Sequence, residues 1–238
     1  MKALFLTTDT PHHNYFIRRF KKKCGEISVV YETSEVIPSY PTKHPFEYKR
    51  DQFEIELWGN QRLTLSPNEV SCLKYVENIN QLEIDDHITQ NKDVCIVFGT
   101  RKINFKTLER LPPLTANLHG GDPELYRGLD SHLWSIWHRD KKGLKTCLHL
   151  LKQELDSGEI LEMESLNLSR TDKIIGLRAK NTSLCVKLCN RFFDKISDGS
   201  PLNPKPQKNN SRYYSFMPTE LKNIVVNRFE ILFSDRSS

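Results

Sequence analysis

The sequence predicts an open α/β fold, a mostly parallel sheet with helices on both faces, and three observations carry that prediction. Four short apolar runs, at residues 3–6, 27–31, 94–98 and 116–118, lack a clean polar alternation, as strands covered on both faces do. Helical stretches lie between them, and strand–helix alternation is the pattern of a parallel sheet. The composition is that of a folding chain: of 238 residues 37% are apolar and 27% charged, with 12 Phe and 8 Tyr, so the chain buries a core of ordinary size.

In chain order, the first run stops at Thr7-Thr8-Asp9, far short of the apolar length of a signal peptide or a membrane span. It reads as the first strand, and the chain as a cytoplasmic protein away from membranes. A helix over 15–23 follows, bearing the densest basic group, Arg18, Arg19, Lys21, Lys22 and Lys23. After the second strand, residues 42–60 space Phe46, Tyr48, Phe53 and Trp58 for an amphipathic helix or helical hairpin, a stripe that usually packs into a core. The third strand, 94–98, leads to a helix over 106–110 that Pro112-Pro113 ends, and then to the fourth strand. Trp134 and Trp137, three apart, read as helix core or as a dimer surface. A long helix is expected over 171–198, with Asn181 and Thr182 weakening its middle. The run from Gly199 to Pro206 breaks it as a linker. The expected organisation is one catalytic domain, 1–198, with 199–238 forming a linker and a small C-terminal extension.

Six cysteines occur, none in a CxxC pair, and reduced buried thiols are the expectation. Cys185 and Cys189 lie four apart on the long helix without companion ligands, so no metal is expected. Neither common glycine-rich phosphate loop is present. The formal charge of +5 admits an anionic partner, but the basic residues are scattered and a solvated surface accounts for them equally well.

Chemistry concentrates between residues 94 and 162. Asn117 and His119 stand two apart at a strand end, where extended backbone points them the same way and where open α/β sheets bind ligands. An amide and an imidazole on one face suit a carbonyl substrate, one donating to a developing oxyanion and the other handling protons. Gly120-Gly121 leaves room above the pair, and Asp156 precedes a turn from which a carboxylate can orient His119. Taken singly, these residues equally describe a strand end, a satisfied histidine and a turn.

The ordered set resembles the 10-formyltetrahydrofolate-dependent formyltransferase family, which includes methionyl-tRNA, glycinamide ribonucleotide and sugar-nucleotide enzymes. Val97-Phe98-Gly99 through Ile103 and Leu108 is similar to the lead-in that lines the folate pocket. Asn117-Leu118-His119 matches the family's Asn-x-His, Tyr126-Arg127-Gly128 the loop after it, and His149 with Leu155-Asp156-Ser157-Gly158 the His and Leu-Asp-x-Gly that follow. The resemblance implies a Rossmann-like sheet, 10-formyltetrahydrofolate as co-substrate and no metal. It implies that Asn117 binds the formyl oxygen, that His119 stabilises the tetrahedral intermediate and assists proton transfer, and that Asp156 holds His119 and helps deprotonate the attacking amine. Phe98, Gly99, Thr100, Arg101, Leu155 and Gly158 would border the folate. This chain departs from the pattern at Asp122-Pro123, where the family's proline falls one place later, and at Lys145-Thr146-Cys147 in place of Gly-Val-Thr.

For the acceptor, the short remainder after Asp156 speaks against the extra barrel of the methionyl-tRNA enzymes. The Arg-Gly loop favours the sugar-nucleotide enzymes over the glycinamide ribonucleotide enzymes. An amino sugar on a nucleotide diphosphate is therefore the expected acceptor, met by His12, Lys102, Tyr126 and Arg127, with a homodimer, no nucleic-acid partner and a role in O-antigen or other polysaccharide synthesis. The competing expectations are a formyltetrahydrofolate hydrolase, a glycinamide ribonucleotide enzyme and a non-catalytic nucleotide-binding module.

Overall fold

Along the first strand, Ala3 and Phe5 enter one apolar cluster and Leu4 and Leu6 another. Successive side chains of a strand leave opposite faces, so a strand apolar on both must lie between two layers. The computed structural model, which describes residues 1–58, 64–81, 86–208 and 211–233, has this form. Its elements in chain order are β1 (Lys2–Thr7), α1 (Pro11–Arg18), β2 (Glu26–Glu32), α2 (Pro45–Leu57), β3 (Cys72–Val76), α3 (Asp86–Thr89), β4 (Val94–Phe98) and α4 (Phe105–Leu108). They continue with β5 (Thr115–His119), β6 (Tyr126–Gly128), α5 (Ser131–Trp137), β7 (Lys145–Leu150), β8 (Ile160–Ser165), α6 (Leu177–Ser197), β9 (Arg212–Tyr214) and α7 (Thr219–Phe233).

Seven strands form one sheet in the order β3-β2-β1-β4-β5-β7-β8. The first five are parallel, β7 pairs antiparallel with β5, and β8 pairs antiparallel with β7. Because β1 connects outward to β2 on one side and the chain returns to β4 on the other, the order reverses between β1 and β4. The carboxyl ends of the strands flank a crevice there. The larger apolar cluster joins one sheet face to Phe16 and Phe20 near α1 and to Leu184, Leu188, Phe192 and Phe193 of α6. The smaller cluster covers the other face with Ile79, Ile88, Ile103 and Leu111.

Several elements differ from the sequence expectation. The first helix spans Pro11–Arg18 rather than 15–23, because Pro11 sits at its first position, where the missing N–H costs nothing. The basic run therefore falls at and beyond its last turn, where cations meet the negative end of the helix dipole. The stripe of Phe46, Tyr48, Phe53 and Trp58 does not enter the core as a unit. Phe46 is buried, but Tyr48 is 66% exposed and Trp58 stacks on Tyr15 with ring centroids 4.3 Å apart. What α2 buries beside Phe46 is Glu54, and the end of the expected stretch, 59–60, lies outside the described residues. Strands β3 and β6–β9 carry too few strictly apolar residues to be read locally. On β8, Glu162 and Glu164 are covered by Lys187, Arg191 and Lys195 of α6 rather than by apolar contacts.

The C-terminal segment is woven into the body. β9 pairs in parallel with β6, and α7 lies against α5. The Trp134 indole N–H donates to the Ser215 carbonyl at 2.8 Å, and the Arg228 guanidinium sits 4.1 Å from the Trp137 ring centroid. Lys222 of α7, only 2% exposed, donates to the Thr42 carbonyl at 2.6 Å and to Glu47 at 3.0 Å, with Asp130 at 3.6 Å. One buried ammonium thus ties α7 to the entry of α2 and the N-cap of α5. Removing it strands two carboxylates, a change that costs about 3–5 kcal/mol when a buried pair is broken. Lys222→Ala is expected to lower the denaturant midpoint by that amount of stability, measured by urea unfolding.

Candidate active site

Strand β5 pairs with β4 on one side and β7 on the other, setting Asn117 beside Val97 and opposite His149. Two residues on, the His119 ring is buried, 5% exposed, and its Nε2–H donates to the Tyr126 carbonyl at 2.8 Å. That bond leaves Nδ1 as the nitrogen facing Asp156, 3.5 Å from Oδ2. The register of β7 against β8 slips between Leu148 and His149, an irregularity of the kind that re-aims a side chain beside a site. His149 donates from Nδ1 to the Leu150 carbonyl at 2.8 Å, so its Nε2 accepts from the Asn117 amide at 3.1 Å.

Asp156 closes the group. Its backbone is left-handed, φ 49°, which Asp tolerates better than most residues and which turns the carboxylate back toward the strand ends. Oδ2 accepts from the Gly128 backbone N–H at 2.8 Å and Oδ1 from the Asn117 amide at 3.3 Å, while His149 Nε2 lies 3.5 Å from Oδ1. Gly128 itself needs φ 93°, and a Cβ there would meet the Tyr214 carbonyl oxygen at 2.2 Å. Burial raises the Asp156 pKa, but His119, His149 and the Gly128 N–H outweigh it and hold the carboxyl well below the usual aspartate range. A carboxylate, an imidazole and an amide therefore converge, with both Asn117 amide hydrogens turned toward His149 and Asp156.

These groups form one wall of a cleft of about 1330 Å³ across the carboxyl ends of β1, β2, β4 and β5. Phe98, Gly99, Thr100, Arg101, Lys102, His12 and Leu155 line it with the trio. Arg101 is held by Glu32, which accepts its backbone N–H at 2.9 Å. Tyr126, Arg127 and Gly158 lie elsewhere. The Tyr126 ring is buried with its hydroxyl on Asp140 at 3.1 Å. Arg127 donates to Gln207 at 2.7 Å in a separate shallow pocket. Gly158 packs against the Leu150 carbonyl, which a Cβ would meet at 1.7 Å. Gln207 in turn donates to the Asp156 and Gly158 carbonyls, both at 2.8 Å, so Arg127 and Gly158 brace the Asp156 loop from behind. Among the described residues no group of three His, Cys, Asp or Glu side chains could hold a metal. No helix among them is long and apolar enough to cross a membrane.

His12, expected to meet the acceptor, and its neighbour His13 are both buried on the cleft floor. The His13 ring lies 4.4 Å from that of Phe98. The cleft also holds residues the sequence does not signal: His132, Asn181, Arg50 and Arg178. Their placement depends on α2, α5 and α6 meeting, which no local motif announces.

Burial lowers the His13 pKa to about 3 and that of His132 to about 4, from 6.5. The unfolded chain then binds more protons than the folded one below pH 6.5, so stability falls as pH drops from there toward 4. Asp156, depressed in the fold, withholds its contribution only as pH falls below 3.8. Melting temperature should decline from pH 7.5 to 4.5, and His132→Gln should flatten that decline; an equal slope in the variant would show that His132 does not titrate this way.

No family model matches the sequence. A methionyl-tRNA formyltransferase from Sulfurihydrogenibium sp. (strain YO3AOP1) is 28% identical over 139 residues, 57% of this chain and 44% of that protein. The chain thus spans less than half the length of the curated relative it matches. Among solved structures, a 4-N formyltransferase from Francisella tularensis superposes with TM-score 0.60 at 16% identity, covering 90% of this chain and 76% of the other. The formyltransferase PseJ from Anoxybacillus kamchatkensis, in complex with UDP-4,6-dideoxy-4-formamido-L-AltNAc and tetrahydrofolate, gives 0.54 at 18% identity, covering 90% and 86%. HypX from Aquifex aeolicus, in complex with tetrahydrofolic acid, gives 0.59 at 17% identity, covering all of this chain and 35% of the other. The mostly parallel seven-stranded sheet and the elements around its cleft are those of the formyltransferase fold.

Proposed function

We propose that this chain moves a formyl group from 10-formyltetrahydrofolate to the amine of an amino sugar carried on a nucleotide diphosphate. The observation that carries the reading is the convergence of Asn117, His119 and ionised Asp156 at the strand ends beside a large cleft. The likeness to formyltransferases, one of them in complex with a UDP-linked formamido sugar and tetrahydrofolate, supports this acceptor and this donor.

In this scheme the pterin lies along the β4 side, against Val97 and Phe98, the backbone of 99–101, Leu151 and Leu155, an apolar slot edged by peptide groups. The neutral amine attacks the formyl carbon. Asn117 swings one amide hydrogen from its neighbours to the oxygen that becomes an oxyanion, where preorganised donors count most. Asp156 and His119 Nδ1 take the proton released by the amine and return it to the departing folate nitrogen. Their 3.5 Å separation is long for a direct bond, as catalytic contacts often are before substrate draws them in. The same proposal places the protein in the cytoplasm as a homodimer serving O-antigen or other polysaccharide synthesis.

The test is incubation with 10-formyltetrahydrofolate and a panel of UDP- and dTDP-linked amino sugars, following the formamido product by mass and tetrahydrofolate by absorbance. Absence of folate-dependent formylation across the panel refutes the proposal, and formate release without acceptor makes the chain a hydrolase. His119→Ala and Asp156→Asn are each expected to lower turnover at least about a hundredfold, the scale of general acid–base groups, with tetrahydrofolate binding retained in a direct titration.

A further inference from the structure

The cleft carries a second polar cluster, which the formyl-transfer scheme leaves unused. Arg50 of α2 and Arg178 of α6 both line it, as does His12. Burial, then His13, Arg178 and Arg50, push the His12 pKa down.

The two arginines are held differently. Arg178 donates from Nε to Glu54 Oε1 at 2.8 Å, and from Nη2 to Glu54 and to Asp51, bonds that do not use Nη1. Arg50 has no such anchor. Its side chain is only 21% exposed, its screened Nε has no hydrogen-bond partner among the described residues, and its ion pairs to Glu47 and Asp51 are long, 3.7 and 3.6 Å. The neighbouring carboxylates are committed elsewhere: Glu47 to Lys222, Glu54 to Arg178, and Asp51 to Arg178 from an exposed position. A guanidinium withdrawn from water is costly unless it is hydrogen-bonded, and a buried N–H without a partner calls for one.

The position of the pair says what kind of partner. Arg178 lies three residues before Asn181 on α6, on the same helix face and about 4.5 Å back along the axis. The Asn181 amide nitrogen stands 3.4 Å from where a Cβ on Gly120 would be, so it borders the end of the catalytic strand. Ile174, Leu177 and Phe46 line the same part of the cleft. An anion held here lies toward α6 rather than along the β4 edge. Planar guanidinium forks bind phosphate oxygens in pairs.

We propose that Arg50, with Arg178 beside it, is the diphosphate-binding pair of the acceptor subsite. That the diphosphate belongs to an amino-sugar nucleotide rests on the formyl-transfer reading; that the pair takes an anion does not. Arg50 is the residue to change, because altering Arg178 leaves Glu54 buried without its partner.

The experiment titrates the full chain calorimetrically with inorganic pyrophosphate, UDP, dTDP and, separately, tetrahydrofolate, using wild type, Arg50→Ala and Arg50→Lys, with melting temperatures to verify folding. Arg50→Ala is expected to weaken pyrophosphate and at least one nucleoside diphosphate by about tenfold or more, as loss of charge-assisted bonds does. Tetrahydrofolate should stay within about twofold, and Arg50→Lys should fall between wild type and Arg50→Ala because it keeps the charge and loses the fork. Should Arg50→Ala fail to fold, the Lys variant decides on the same readouts. Unchanged pyrophosphate and nucleotide binding, or no binding to wild type, overturns the proposal. So does a loss confined to tetrahydrofolate, which would assign the pair to the folate carboxylates. Arg50-dependent pyrophosphate binding in a protein that makes no formamido product would uphold the pair and refute formyl transfer.

Discussion

A carboxylate, 6% exposed and ionised, is the constraint around which this molecule is arranged. Asp156 is stable in that state only because an amide from β5, a backbone N–H from Gly128 and two imidazoles surround it. These groups come from β5, β6 and β7, so the three strands must assemble before the charge is tolerable. A buried charge stripped of such partners is among the more expensive defects a fold can carry. Much of the otherwise unexpected architecture serves this. The antiparallel strand β7 brings His149 opposite Asn117, and β6 carries the chain to Gly128. The C-terminal segment returns to place Gln207 under the Asp156 loop and β9 against β6.

The same arrangement separates two jobs within one cleft. On the β4 side Val97, Phe98, Leu151 and Leu155 form an apolar slot suited to a flat heterocycle, with Arg101 and Lys102 at its edge. On the α2 and α6 side the lining is charged, with Glu54 buried against Arg178 and Arg50 left without a hydrogen-bond partner at Nε among the described residues. The trio sits between. The neutral, buried histidines at 12, 13 and 132 keep the floor free of extra positive charge near neutral pH.

How much of this was legible beforehand depended on whether the signal was local. The four central strands show in sequence because both their faces are apolar, and Asn117 and His119 pair visibly because a strand repeats every two residues. Edge strands β3 and β8 are half polar and gain their partners from elsewhere, so they left no periodic trace. Arg127 and Tyr126 stand beside the motif residues and read, in sequence, as ligand contacts. The structure turns one toward Gln207 and the other toward Asp140, because β6 is pinned by β9 from the far end of the chain. Arg50 and Arg178 gave no sign at all, since their cluster exists only where α2 meets α6, across 124 residues between Glu54 and Arg178.

By itself, then, the sequence determined the parallel core of the sheet, the strand end that bears Asn117 and His119, and, through an ordered motif, Asp156. Those follow from short-range patterns: burial on two faces, period-two alternation, a turn that tolerates left-handed backbone. Only the tertiary structure decided the antiparallel pairing of β7 with β5 and β8, the bracing of the Asp156 loop by Arg127 and Gln207, and the arginine pair across the cleft. These are contacts between groups far apart in the chain, and their free energy appears only once the backbone has brought them within reach.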